Sequence, residues 1–261
     1  MRENLFLINA FTKETFKGNP AMVVIVEGEL SDIRMKRLAA EFNQPITTFV
    51  QLIGQTVNLR WFTPVQELPL CGHGTLSAAH VLWNEGYISM TKPITFVTKG
   101  GELKAEHTSD HIQLTFKVID TEHINVTEEL QNLLDVKVKA AAWAQDRYIL
   151  ELESEIDVVR GKPDFAKIKK MNSAGVVITS KGNERYDIVS RYFAPNIGVM
   201  EDSVTGSAHC ALASYWHQKT GDTEWLAYQA SERGGEIMMA LNGVEVTLGG
   251  ECVVLMKGKL S

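Results

Sequence analysis

The chain of 261 residues repeats itself at about half its length, and this limits its fold more than any other feature. Residues 60–83 read RWFTPVQELPLCGHGTLSAAHVLW, and residues 191–216 read RYFAPNIGVMEDSVTGSAHCALASYW. Arg60-Trp61-Phe62-Thr63-Pro64 matches Arg191-Tyr192-Phe193-Ala194-Pro195 at an offset of 131. After a three-residue insertion the offset becomes 134, pairing Glu67 with Glu201 and Gly72 with Gly206. Lys99-Gly100-Gly101-Glu102-Leu103 then pairs with Arg233-Gly234-Gly235-Glu236-Ile237, again at 134. Three pieces in register point to a duplicated unit.

Each half has the same coarse plan. A hairpin-like pair of strands leads to an amphipathic helix, which Ile33, Leu38, Ala39 and Phe42 mark out in the first half. A further strand runs to Pro64 or Pro195, where the missing N–H stops the ladder. A glycine turn then opens a helix apolar nearly all round (Leu76, Ala78, Ala79, Val81, Leu82; Ala208, Ala211, Leu212, Ala213), which is expected inside its half. Gly86 and Gly221 fall where left-handed caps belong. Alternating strands close each half, turning at Gly100-Gly101, Ser109-Asp110, Gly234-Gly235 and Asn242-Gly243. The expected class is α+β: two pseudo-symmetric domains, each a mostly antiparallel sheet wrapped round a central helix. The halves are 1–118 and 119–261, with the last strand free to pack back on the first half.

Composition narrows the function. A net charge of −6 argues against nucleic acid or an anionic membrane as partner. Lys167, Lys169 and Lys170 read as an exposed helix face. No run of about 18 apolar residues exists, and MRENLFLINAF is too quickly polar for a signal peptide. Cys71, Cys210 and Cys252 are odd in number and lack paired spacing, and the histidines show no ligand spacing. A cytoplasmic protein with no structural metal is expected.

The two glycine turns carry the chemistry. Cys71-Gly72-His73-Gly74-Thr75 begins one buried helix, and Val204-Thr205-Gly206-Ser207-Ala208 begins the other. A helix start leaves backbone N–H groups unsatisfied beside a partial positive charge, which suits an anion. Glycine lets the backbone approach a ligand closely. Two such ends facing one cleft suit a small carboxylate-bearing molecule. Against this stands the plainer reading that the glycines serve tight turns and that Thr75 and Ser207 are caps. His73 stands where the second half has Ser207, and Asp202 stands where the first has Leu68. The halves diverge at titratable groups, so an asymmetric site is expected, with His73 moving a proton and Asp202 orienting or sharing it.

These residues resemble the phenazine-biosynthesis PhzF-like family, whose duplicated fold is shared with diaminopimelate epimerase and proline racemase. The resemblance spans essentially the whole chain. It rests on Asn9-Ala10-Phe11-Thr12 with Phe16-Lys17-Gly18-Asn19-Pro20-Ala21, and on Phe62-Thr63-Pro64 running into Glu67, Pro69, Cys71, Gly72 and His73. Glu201-Asp202 with Thr205-Gly206-Ser207-Ala208, and Gln229-Ala230-Ser231 with Arg233-Gly234-Gly235, complete it. It implies a cofactor-independent isomerase, and a homodimer, since relatives commonly form one. The family's best-known member moves a proton within a dihydro-hydroxyanthranilate ring. A glutamate shuttles that proton, the residues matching His73, Asp202 and Ser207 bind and polarise the substrate, and the turn glycines receive its carboxylate. Gly72, Gly74, Thr75, Gly206 and Ser207 are therefore the expected substrate-binding residues.

One departure bears on activity. The family's glutamate lies in a segment reading roughly Asn-Leu-Ser-Glu-Thr-x-Phe; here Asn43 to Phe49 stand there, with Ile46 at the glutamate position. Glu41 and Glu67 are the nearby substitutes, and His73 with Asp202 is the better surviving acid–base pair. Asn9 and Ser203 replace a common aspartate and proline without bearing on the fold. The two-thiol mechanism of the racemases lacks its second thiol, because the repeat partner of Cys71 is Thr205. The alternative of another class is a binding or regulatory protein that keeps the cleft without turnover.

Overall fold

The computed structural model describes residues 3–26, 28, 30–54, 56–108 and 110–260. The expected turn at Ser109-Asp110 lies partly outside them, since Ser109 is not described. The chain divides into two compact units: residues 1–115 with 249–261, and residues 116–248.

The first unit runs β1 (Asn4–Ala10), β2 (Asn19–Val26), α1 (Asp32–Phe42), β3 (Ile46–Ile53), β4 (Thr56–Phe62), β5 (Glu67–Leu68), α2 (Gly72–Asn84), β6 (Ile94–Thr98), β7 (Gly101–His107) and β8 (Ile112–Lys117). The second runs β9 (Glu122–Ile124), α3 (Glu128–Gln131), β10 (Val138–Ala144), β11 (Arg147–Leu152), α4 (Glu155–Arg160), α5 (Phe165–Ile168), β12 (Gly175–Lys181), β13 (Ile188–Ala194), β14 (Val199–Asp202), α6 (Gly206–Thr220), β15 (Glu224–Gln229), β16 (Gly235–Asn242) and β17 (Glu245–Gly250). The final strand, β18 (Cys252–Lys259), pairs antiparallel with β1 and so belongs to the first unit.

The ladders repeat as the sequence does. In the first unit β1 pairs antiparallel with β2, β2 parallel with β3, β3 antiparallel with β4, β4 parallel with β6, and β6 antiparallel with β7. The second gives the same series with β10, β11, β12, β13, β15 and β16. Thr47 lies opposite Phe62, and Val176 opposite Phe193. Because Phe62 and Phe193 are repeat partners, Ile46 and Gly175 occupy equivalent positions. Ile46 sits beside Ala21 and Gly175 beside Arg147, so Ala21 and Arg147 are equivalent too.

The long helices are enclosed as their composition demands. Residues 74–79 and 81–83 of α2 are buried, as are 206, 208–216 of α6. The stripe on α1 differs by one residue from the expected one. Met35 and Ala39 are buried and Leu38 and Phe42 pack beside them, whereas Ile33 is 66% exposed. That stripe follows i, i+3, i+4, i+7 from Met35, and Ile33 falls off it. Gly86 and Gly221 are left-handed, with φ of +75° and +80°, and the Gly221 N–H bonds the carbonyl of His217. The last turn sits one residue late: Asn242 ends β16, and Gly243 (φ +60°) forms the turn with Val244. The lysines at 167, 169 and 170 are exposed.

Matched ion pairs brace the two halves. Arg60 Nε and Nη2 donate to Glu67 at 2.7 and 2.9 Å, and Arg191 Nε and Nη2 donate to Glu201 at 2.7 and 3.0 Å. Each guanidinium also lies over the ring two residues on, 5.1 Å from Phe62 and 4.8 Å from Phe193. Paired N–H···O bonds fix the separation of the strand and the segment leading into the helix. The three-residue insertion is taken up by a 3-10 turn, Pro195–Ile197, closed by left-handed Gly198. The Glu67 carboxyl is held below the usual carboxylate range, chiefly by Arg60 and further by Lys99. A depressed carboxyl pKa adds stability that is full above the unfolded-state value and lost as pH falls through the folded one. Arg60→Met should therefore cost about 2 kcal/mol in urea unfolding at pH 7. The gap should narrow below about pH 4; a gap that stays constant down to pH 3 rules out the Glu67 pair as its source.

Candidate functional site

The starts of the two long helices differ from those of the other helices. Among the described residues, α1, α3, α4 and α5 are capped by Ser31, Thr127, Ser154 and Asp164, each accepting from an N–H three residues on. α2 and α6 have Cys71 and Thr205 at the cap, both extended, and neither makes a side-chain cap hydrogen bond. Neither Thr75 nor Ser207 is the cap. The first-turn N–H groups of these helices are left to something other than a capping side chain.

In the first unit, Gly72, His73, Gly74 and Thr75 form the first turn of α2, with Gly72 and His73 partly exposed. The imidazole Nδ1 of His73 lies 3.5 Å from the sulfur of Cys71. Thr75 is fully buried, and its hydroxyl donates to the Cys71 carbonyl at 2.7 Å. Glycine at 74 is a packing requirement: a Cβ there would meet Thr48 Oγ1 at 2.6 Å and Trp61 Cδ1 at 2.8 Å. Thr48 Oγ1 and Trp61 Nε1 are buried, and neither has a hydrogen-bond partner among the described residues. Ile46 is fully buried at the start of β3. Of the two nearby glutamates, Glu41 is exposed and Glu67 is taken up by Arg60 and Lys99. An ion-paired carboxylate of lowered pKa makes a poor proton acceptor.

The second unit brings Asp202, Gly206 and Ser207 together through a hydrogen-bonded turn. The Thr205 hydroxyl donates to Asp202 Oδ2 at 2.6 Å. Gln229, fully buried, accepts from the Thr205 N–H at 2.8 Å and donates to the Asp202 carbonyl at 2.7 Å. Ser231 donates to the Ser203 carbonyl at 2.7 Å. His209 is fully buried and held neutral, its pKa lowered by burial to about 4. Its Nδ1 lies 2.8 Å from the Thr205 carbonyl, an acceptor only, so this nitrogen carries the proton. His209 thus does in α6 what its repeat partner Thr75 does in α2. Burial pushes the Cys210 thiol up to about 12, so it supplies no thiolate beside Cys71.

Three residues that position these groups escaped the reading of the sequence. Gln229 was legible as part of a motif but not as the brace of the turn. His209 gave no signal, since its role depends on a carbonyl one helical turn back. Arg147 gave none either. It lies on β11, is 7% exposed, and donates through Nη1 to Ser207 Oγ at 2.9 Å.

Comparison with known proteins agrees with this architecture. The sequence profile of the phenazine biosynthesis-like proteins, PhzC-PhzF, matches residues 8–258. A protein of Halalkalibacterium halodurans named as an uncharacterized isomerase is 39% identical, over 100% of this chain and 99% of that one. A human phenazine biosynthesis-like domain-containing protein is 35% identical over the full length of both. The crystal structure of a PhzF-family protein from Enterococcus faecalis superposes with a TM-score of 0.95 at 35% identity, covering both chains completely. A hydroxyproline epimerase from Agrobacterium vitis shares the fold alone, with a TM-score of 0.64 at 12% identity over 99% of this chain and 92% of that one. With a family profile spanning nearly its whole length and relatives matched end to end, the chain belongs to the phenazine-biosynthesis PhzF-like family.

Proposed function

We propose that this chain is a cofactor-independent isomerase that moves a proton on a small carboxylate-bearing substrate, received at the starts of its long helices. The carrying observation is the pair of long helices whose starts, unlike those of the other α-helices among the described residues, lack a side-chain cap. In this reading the N–H groups at Gly72, Gly74, Gly206 and Ser207 receive the carboxylate. Thr75 holds its turn through the Cys71 carbonyl. His73 moves the proton and Asp202 orients the substrate, with Asp202 itself steadied by Thr205. The names of the isomerase relatives support the reaction class.

Ile46 supports a second reading, in which the chain binds such a molecule without converting it. A fully buried isoleucine carries no proton where the family has its glutamate. Deuterium uptake separates the two. Small amino and hydroxy acids incubated with the protein in deuterated water, and followed by proton NMR, should lose a carbon-bound proton signal. His73→Ala and Asp202→Ala should each abolish that loss. Saturable binding with no uptake would favour the second reading, and wild-type rates in both variants would remove His73 and Asp202 from their roles. Ile46→Glu places a carboxyl where burial is complete, so its melting temperature should fall, by the equivalent of roughly 2 kcal/mol or more. An unchanged melting temperature would mean that this position is wetter than its burial indicates.

A further inference from the structure

Resting on that reading, we propose that Arg147 is a positioning residue that turns the Ser207 hydroxyl proton away from itself and toward a ligand, and so makes the α6 end of the site the one that reads the substrate's carboxylate.

A guanidinium donates hydrogen bonds and never accepts them. Arg147 Nη1 gives a proton to Ser207 Oγ at 2.9 Å, so the oxygen is the acceptor in that bond and the hydroxyl proton points elsewhere. Ser207 occupies the first turn of α6 and is partly exposed, so its proton is offered beside the first-turn N–H groups. A donated hydroxyl proton beside the first-turn N–H groups matches an oxygen anion.

Arg147 is also held fast. Its Nε and Nη2 donate to Asp146 Oδ1 and Oδ2 at 2.7 and 3.2 Å, and its Cζ lies 5.1 Å from the centre of the Tyr192 ring. The side chain is 9% exposed while Asp146 is 44% exposed, so the acid remains solvated as the cation is buried against the helix start. The repeat shows that the fold does not need this cation. Ala21 stands at the equivalent place in the first unit, next to Ile46, as Arg147 stands next to Gly175. A Cβ on Gly175 would lie 2.3 Å from the Phe193 carbonyl. The two helix starts therefore differ in their side chains, with His73 on one and Ser207 backed by Arg147 on the other.

Anthranilate, a small aromatic amino carboxylate, serves as probe, with its affinity read by calorimetry and NMR titration. Ser207→Ala and Arg147→Met should each weaken binding about tenfold, and the double variant should be no weaker than Ser207→Ala alone, because Arg147 acts through Ser207. Arg147→Lys should recover part of the loss, since an ammonium group also donates to Ser207. If Arg147→Met does not fold, the same cycle is run with Arg147→Ala, the residue found at the equivalent position 21. Losses that multiply to about a hundredfold, or an Arg147 variant that binds as the wild type does, overturn the inference while leaving the proposed function standing. Failure of the function reads differently: anthranilate then binds neither wild type nor variants, and the amides of residues 72–75 and 206–208 do not shift, which removes both.

Discussion

A helix that is apolar on every side has to be enclosed, and enclosure leaves only its ends for chemistry. α2 and α6 are such helices, buried through nearly all of residues 74–83 and 206–216. Enclosing them takes a sheet of mixed direction, in which parallel pairing at β2–β3 and β11–β12 alternates with antiparallel neighbours. Their C-terminal ends are closed by left-handed glycines. The N-terminal ends, without side-chain caps, are what remains, and every residue proposed for function lies on or beside one of them. Matched arginine–glutamate pairs fix the segments that lead into them.

The sequence made much of this readable. The repeat gave the two-unit plan because glycine, proline and paired charges are tied to backbone geometry, and geometry survives divergence of the core. The enclosure of α2 and α6 could be read from composition alone. Harder to read were features set by contacts distant in the chain. Apolar spacing alone puts Ile33 on the buried stripe of α1, since it does not say which neighbouring turn meets the sheet, and Ile33 is in fact exposed. Gln229 and Thr205 are 24 residues apart, and Arg147 and Ser207 are 60 apart, and no local pattern joins either pair. The hairpin turn slipped by one residue because glycine marks a left-handed position without saying whether it stands first or second in the turn.

Divergence between the halves is as informative as their likeness. Where side chains only build, the halves agree: Arg60 with Arg191, Glu67 with Glu201, and Thr75 with His209 making the same bond to the carbonyl at the cap. Where side chains border the helix starts, they part: His73 against Ser207, Leu68 against Asp202, Ala21 against Arg147. A duplicated scaffold held constant by its ion pairs is free to vary one end independently of the other. Ile46 fits that pattern as a fully buried side chain where the second half has Gly175.

The pairing of β18 with β1 has a consequence for the order in which the chain comes together. The second unit is one unbroken stretch and takes β9, its strand beside β10, from its own N-terminal side. The first unit takes the equivalent strand from residues 252–259, which follow the whole second unit in the chain. Domains usually fold as they emerge, N-terminal first. Here the half made first is the half finished last. Its long-range closure carries the larger loop entropy and the slower step, and until β18 arrives the edge of β1 stands open to other chains.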